Sequence, residues 1–203
     1  MKSPDLKINY DLKMQQQINN ISNKPKLLLH CCCGPCSTAC IERLLEVFDI
    51  TIYYYNPNIF PKQEFVKRLQ NQNIVASYFE NLKVISPKYD ENEFLKEIKG
   101  LELLKEGQER CDKCFYLRLY QTALFAKNNG YSYFGTTLTV SSHKNEQHIN
   151  AIGEEIANIV GVNFLYSDFK KHNGYKRSID LSKQLNLYRQ NYCGCRFSFR
   201  KEQ

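Results

Sequence analysis

The sequence predicts an α/β domain: a mainly parallel sheet flanked by helices. Short β-branched or apolar runs alternate with longer segments of helical periodicity along most of the chain. The 203 residues carry no internal repeat and suit one compact domain. Composition is that of an ordinary globular protein, with 42% hydrophobic and 24% charged residues.

Residues 1–24 are polar and rich in Asn, Gln and Lys, and read as an N-terminal extension with a short helix near residues 12–21. Residues 25–203 then form a single domain. Residues 26–30 are a buried strand, and residues 31–37 a loop. Ile41, Leu44, Leu45 and Phe48 recur at helical spacing over residues 38–48. Residues 50–55, β-branched and aromatic, are a second strand ended by Asn56-Pro57-Asn58. Pro61 opens a helix to about residue 72. Residues 83–86 are a third strand, and Asp90 with Glu93 resembles a capping box before Phe94, Leu95 and Ile98. An apolar helix runs from Cys111 to about residue 127, followed by a strand at residues 131–134. Ile149, Ile152, Ile156 and Ile159 stripe the next helix. Residues 163–166 are the last strand, and the tail carries a short helix near residues 182–187. In such sheets ligands sit beyond the strand ends, where Cys31–Cys36 and Gly135-Thr136-Thr137 fall.

Cysteine usage departs most from background. Of nine cysteines, eight lie in three groups: Cys31, Cys32, Cys33 and Cys36; Cys111 and Cys114; Cys193 and Cys195. The ninth, Cys40, one turn past Cys36, reads as a small buried hydrophobe. In the first group Gly34 and Pro35 shape a tight turn, the fixed geometry that a thiolate cluster requires. Soft sulfur ligands at such spacing suit iron or zinc. Cys111-Asp112-Lys113-Cys114 is a C-x-x-C at a helix start, where free N–H groups and the helix dipole are expected to lower thiol pKa. Asp112 itself is a surface carboxylate or cap, or an oxygen ligand to a second metal. Cys193-Gly194-Cys195 closes a very small ring if oxidised, which favours a labile dithiol/disulfide; completing a metal site is the alternative. Zinc and iron–sulfur clusters both accept four thiolates, and a redox pair nearby tips the choice to iron.

Formal net charge is +7, which favours acidic partners such as nucleic acid. Lys170, Lys171, Lys176, Arg177, Arg189, Arg196 and Arg200 concentrate near the C-terminus, interleaved with Tyr175, Tyr188 and Tyr192. Charge with stacking rings fits an RNA strand, and a solvated basic face is the plainer reading. Apolar runs fall far short of a membrane span, and the first ten residues have no signal-peptide core; cytoplasmic residence without membrane contact is the expectation.

Several motifs arrive in order: Leu27-Leu28-Leu29-His30 into Cys32-Cys33-Gly34-Pro35-Cys36-Ser37, then Tyr55-Asn56-Pro57-Asn58-Ile59, Arg110-Cys111-Asp112-Lys113-Cys114-Phe115, Thr136-Thr137-Leu138-Thr139 and Asp168-Phe169-Lys170-Lys171. Tyr188-Arg189-Gln190-Asn191-Tyr192-Cys193-Gly194-Cys195 closes the set. Over residues 26–199 the chain resembles the cobalamin-independent (QueH-type) epoxyqueuosine reductases. The resemblance implies a nucleotide-α-hydrolase-like (HUP-type) sandwich and two-electron reduction of epoxyqueuosine to queuosine at the wobble position of tRNA anticodons, the last step of queuosine biosynthesis. It implies a 4Fe-4S cluster on Cys32, Cys33, Cys111 and Cys114, and a redox-active disulfide at Cys193 and Cys195. A further mononuclear metal ion (iron) is implied, with Cys36 and Asp112 as candidate ligands. An external electron donor is required, and Lys170, Lys171, Arg189 and Arg196 are the candidates for holding tRNA. Asp112, His30 and Tyr192 are candidate proton donors. Two departures stand out: Cys31 adds a third adjacent thiol, and Ser142 replaces an expected proline. The competing readings are a zinc-stabilised RNA-binding module without catalysis and an ATP-using tRNA-modifying enzyme. The latter fits poorly, because the loop after the first strand has too little Gly to cradle phosphate.

Overall fold

A computed structural model describes residues 7–80 and 82–198; residues 1–6 of the expected extension and Arg200 lie outside them. The elements, in order, are α1 (Tyr10–Asn19), β1 (Lys26–His30), α2 (Gly34–Leu44), β2 (Asp49–Tyr53), α3 (Lys62–Tyr78), β3 (Val84–Ile85), α4 (Glu91–Glu97), α5 (Glu109–Asn128), β4 (Tyr133–Thr136), α6 (Glu146–Val160), β5 (Asn163–Phe164) and α7 (Gly174–Gln184). The five strands form one sheet in the order β3-β2-β1-β4-β5, and every pairing is parallel. This is the α/β architecture expected from the alternation of elements.

β1 is the central strand. Leu27, Leu28 and Leu29 are all fully buried, because helices cover both faces of a parallel sheet. Leu27 and Leu29 pack with Ile41 and Leu44 of α2 and Val75 and Ala76 of α3. Leu28 faces the other way, among Leu119 and Ala123 of α5 and Ile149 and Ile156 of α6. Full burial of a leucine stabilises the fold by about 1.5–3 kcal/mol, so this strand anchors the register of its neighbours. His30 pairs with Tyr53 of β2 and Thr136 of β4 at the carboxyl edge, and the chain enters the cysteine segment there.

Several boundaries differ from expectation for local reasons. α2 begins at Gly34 rather than after Ser37, because Pro35 in the first turn is preset for helix. α3 continues to Tyr78 since no breaker follows residue 72. Asp90 caps α4 by accepting from Asn92 N at 2.9 Å. The reciprocal half of the capping box is absent, because Glu93 instead accepts the Tyr55 hydroxyl. Ile159 is largely exposed, while Ile149 and Ile156 are fully buried. The tail helix is longer and earlier than expected, starting after Asn173 in the left-handed region.

Candidate metal and redox centre

β1 delivers Cys31, Cys32 and Cys33 to the sheet edge, and Cys33 is the residue before the first turn of α2. The sulfurs of Cys32, Cys33 and Cys36 all lie within 4.8 Å of one another, with Cys32 and Cys33 3.9 Å apart. Gly34 makes this possible: a Cβ there would sit 2.7 Å from the Asn71 carbonyl oxygen, so only glycine lets α2 seat its first turn against α3. Cys31 points into the core beneath α2 with its thiol toward Leu29 O. Cys40 is fully buried in the same core, as expected. Burial holds both thiols well above their ordinary pKa.

Cys111 and Cys114 occupy the first two turns of α5, and the Gly107 N–H donates to Cys111 Sγ at 3.2 Å. Cys111 packs against the cluster of side chains that contains Cys32 and Cys33. Cys114 packs with Cys195, Phe94 and Ile98. The expectation that the helix N-terminus lowers these thiol pKa values is corrected. Burial outweighs the dipole and raises both, Cys114 to about 12.

The tail folds back to join them. Tyr188 N donates to Asn71 Oδ1 at 2.8 Å, Gln190 Nε2 to Cys33 Sγ at 3.0 Å, and Phe60 N to Gly194 O at 2.8 Å. All three cysteine groups thereby reach one region at the carboxyl edge of the sheet. Cys32, Cys36 and Cys193 open into a cavity of about 570 Å³ that Lys144, Tyr175, Arg189 and Tyr192 also line.

The charges here are unusual. Arg118 is 1% exposed, donates from Nε to Cys114 O at 3.1 Å, and has its buried Nη2 without a partner. It pairs with no carboxylate among the described residues; what faces it are Cys114, Cys193, Cys32 and Cys111. Lys144 is alike: burial pulls its pKa down, but Cys193, Cys32 and Cys36 more than offset that and leave it raised. Neighbouring thiols and these two cations hold Cys32 well below the usual thiol range, against its burial. Cys33, hydrogen-bonded to Cys32, is pushed up to about 12. A guanidinium cannot shed its proton, and an unpaired buried charge is costly. The surroundings therefore fit an anionic, sulfur-ligated group.

The other candidates are dispersed. Asp112 Oδ1 lies 3.1 Å from His148 Nδ1 at the surface, and the three-sulfur group does not include it. His30 is fully buried between Thr136 Oγ1 (3.0 Å) and the Tyr55 carbonyl (3.1 Å). Burial lowers its pKa to about 4, so it stays neutral. The Tyr192 hydroxyl donates to Phe60 O at 3.1 Å. Lys170 bridges Glu146 and Asp168, 3.0 Å from each, and Arg196 pairs with Glu91 at 2.7 Å. Arg189 reaches Ser182 Oγ at 3.2 Å on the cavity wall, and Lys171 is exposed. Sequence patterning did not single out Arg68, Arg118 or Lys144, and Gln190 entered only as part of the closing motif, with no role assigned. Only Glu64 and Arg68, spaced i,i+4 after Pro61, left a legible signal.

Comparison with known proteins bears on the same residues. The family model described as epoxyqueuosine reductase QueH matches residues 27–201. Curated relatives named epoxyqueuosine reductase QueH include one from Staphylococcus epidermidis, 43% identical over 99% of this chain and 89% of the relative. Another from Staphylococcus aureus is 42% identical over 97% and 86%, and one from Streptococcus pyogenes 41% over 95% and 79%. No helix among the described residues is long and apolar enough to cross a membrane.

Proposed function

The chain belongs to the epoxyqueuosine reductase QueH family and is an oxidoreductase, and from that premise we propose that it converts epoxyqueuosine to queuosine in tRNA with a cysteine-held 4Fe-4S cluster and a Cys193/Cys195 redox pair. The observation that carries this is the gathering of three distant cysteine segments at one end of the sheet. Cys32, Cys33 and Cys36 lie within 4.8 Å of one another, and Cys111 packs on their cluster and Cys114 on Cys195. Arg118 and Lys144, which have no carboxylate partner among the described residues, face them. Cys32, Cys33, Cys111 and Cys114 would hold the cluster, which supplies electron transfer when bound. Cys36, within the three-sulfur group, is the candidate for a further metal ion; Asp112, held by His148 at the surface, stands apart from it.

The overall step balances without further reagents. Two thiols of Cys193 and Cys195 become a disulfide, releasing two electrons and two protons; the epoxide takes them up, its two C–O bonds break, a C=C bond forms and the oxygen leaves as water. An external donor then restores the dithiol. Lys144 places positive charge on the cavity wall where the ring oxygen gains negative charge, the arrangement that lowers such a barrier, and Arg118, buried, adds charge facing the cysteines. His30, neutral and held by two partners, orients the strand end, and its one N–H is committed to the Tyr55 carbonyl. Arg189 and Lys171 are the better candidates for tRNA phosphates, because Lys170 and Arg196 are already ion-paired. Tyr175 and Tyr192 on the cavity wall suit stacking on an unpaired base. A cytoplasmic setting follows from this substrate.

The test is anaerobic reconstitution with iron and sulfide, followed by mass analysis of nucleosides from epoxyqueuosine-containing tRNA. Queuosine formation that depends on iron and sulfide is the expected result. Zinc alone in anaerobically purified protein, with no conversion, would overturn this reading in favour of a zinc-held module without catalysis.

A further inference from the structure

Arg68 is among the largest fully buried side chains, at 1% exposure. Its Nε donates to Glu64 Oε1 at 2.6 Å, one helical turn earlier on α3. The other end of the guanidinium reaches the tail: Nη1 donates to Cys193 O at 3.0 Å and Nη2 to Tyr192 O at 3.4 Å. Glu64 uses its second oxygen to accept the Tyr188 hydroxyl at 3.2 Å. Gly194 has φ +119°, and a Cβ there would lie 2.8 Å from Arg68 Nη1. The glycine between the two cysteines thus serves two ends: it permits the backbone angle and leaves room for the guanidinium. The same helix sets the other cysteine group. Asn71 backbone abuts Gly34, Gln72 Nε2 donates to Ser37 Oγ at 3.0 Å, and the Arg68 charge faces Cys33 and Cys32.

We propose that Arg68, held by Glu64, is a positioning residue that fixes the Cys193-Gly194-Cys195 turn against Cys32 and Cys33. This rests on the reading of Cys193 and Cys195 as the redox pair. A guanidinium suits the task, since its rigid planar fork spans acceptors on two separate segments, which a compact lysine ammonium does not. Electron exchange between two sulfur groups depends on their separation, so a loosened turn slows turnover without disturbing how tRNA is held elsewhere.

The experiment uses the full chain in two states. In metal-free protein, iodoacetamide labelling is followed by mass mapping of Cys193, with Cys40, fully buried in the core, as the control. R68Q is expected to speed labelling of Cys193 by about fivefold or more, through local opening, with Cys40 unchanged. E64Q should act in the same direction more weakly, and R68K should not restore the wild-type rate. In reconstituted protein, R68Q should lower kcat by about tenfold or more with a much smaller rise in KM for tRNA, since of the residues assigned to tRNA only Tyr192 sits in the loosened turn; a loss in kcat larger than that in KM is the signature of misplacement rather than lost binding. Unchanged Cys193 labelling in both R68Q and E64Q, or equal acceleration at Cys40 in both, overturns the proposal. A C193S variant turning over like wild type instead removes the redox-pair reading, whatever the labelling shows.

Discussion

Gln190 Nε2 lies 3.0 Å from Cys33 Sγ, joining two residues 157 positions apart in the chain. Through this contact the tail closes over the first cysteine segment. A hydrogen bond to a ligand sulfur stabilises its more negative, reduced state. Q190A should therefore lower the reduction potential of the reconstituted centre by tens of millivolts, roughly the effect of one such bond. Redox titration followed by visible absorption measures it, and an unchanged potential would deny Gln190 that role.

Cys33 and Cys40 are a natural contrast, both fully buried but only one in the sulfur group. C33S should lose most bound iron and sulfide after anaerobic reconstitution. C40A should retain them and cost about 1–2 kcal/mol of stability, the price of a small core cavity. Iron and sulfide assays beside thermal denaturation separate the two effects.

Arg118 gives a prediction of opposite signs. Replacing its buried charge by an apolar side chain should leave the metal-free protein as stable or more so, by about 0–3 kcal/mol. The same change should weaken retention of the reconstituted centre, whose counter-charge it removes. Melting of metal-free R118M and the rate of iron loss to a chelator test both halves; a destabilised metal-free protein with normal retention would count against the assignment.

Glu146 sets an acid limit on stability. Although partial burial raises its pKa, hydrogen bonds from Lys170, its own backbone and Gln147 bring it down to about 2, below its ordinary 4.5. The folded value is the lower one, so its contribution is present above about pH 4.5 and is lost as pH falls through about 2. E146Q should flatten that acid limb and cost about 1–3 kcal/mol at neutral pH, read from denaturant unfolding across pH.

Gly153 on α6 faces the Phe164 ring, where an added Cβ would come within 2.3 Å. G153A should overpack this contact and destabilise the protein by about 1–3 kcal/mol despite alanine's better helix propensity. A melting temperature equal to wild type would show that β5 shifts freely.

Much of this protein is local, and local features were legible. The leucines of β1 and the periodic helices announced the layers, because side-chain period follows backbone geometry. Pro35 also marked the true start of α2, which a wider loop had obscured. The stripe on α6 overreached at Ile159, since periodicity names a face but not how far its covering extends.

The site divides the same way. The sequence alone determined that sulfur chemistry was at stake, by crowding eight cysteines into three short segments, and it named the family through motifs kept in order. Tertiary structure alone decided which sulfurs meet: Cys32, Cys33 and Cys36 together, with Cys31 turned into the core. It also decided that burial, rather than the α5 dipole, governs Cys111 and Cys114, and that Arg68, Arg118 and Lys144 supply the charge around them. The reason is physical. Desolvation and Coulomb interaction depend on distances through space, and those are fixed only when the sheet brings remote segments to one edge.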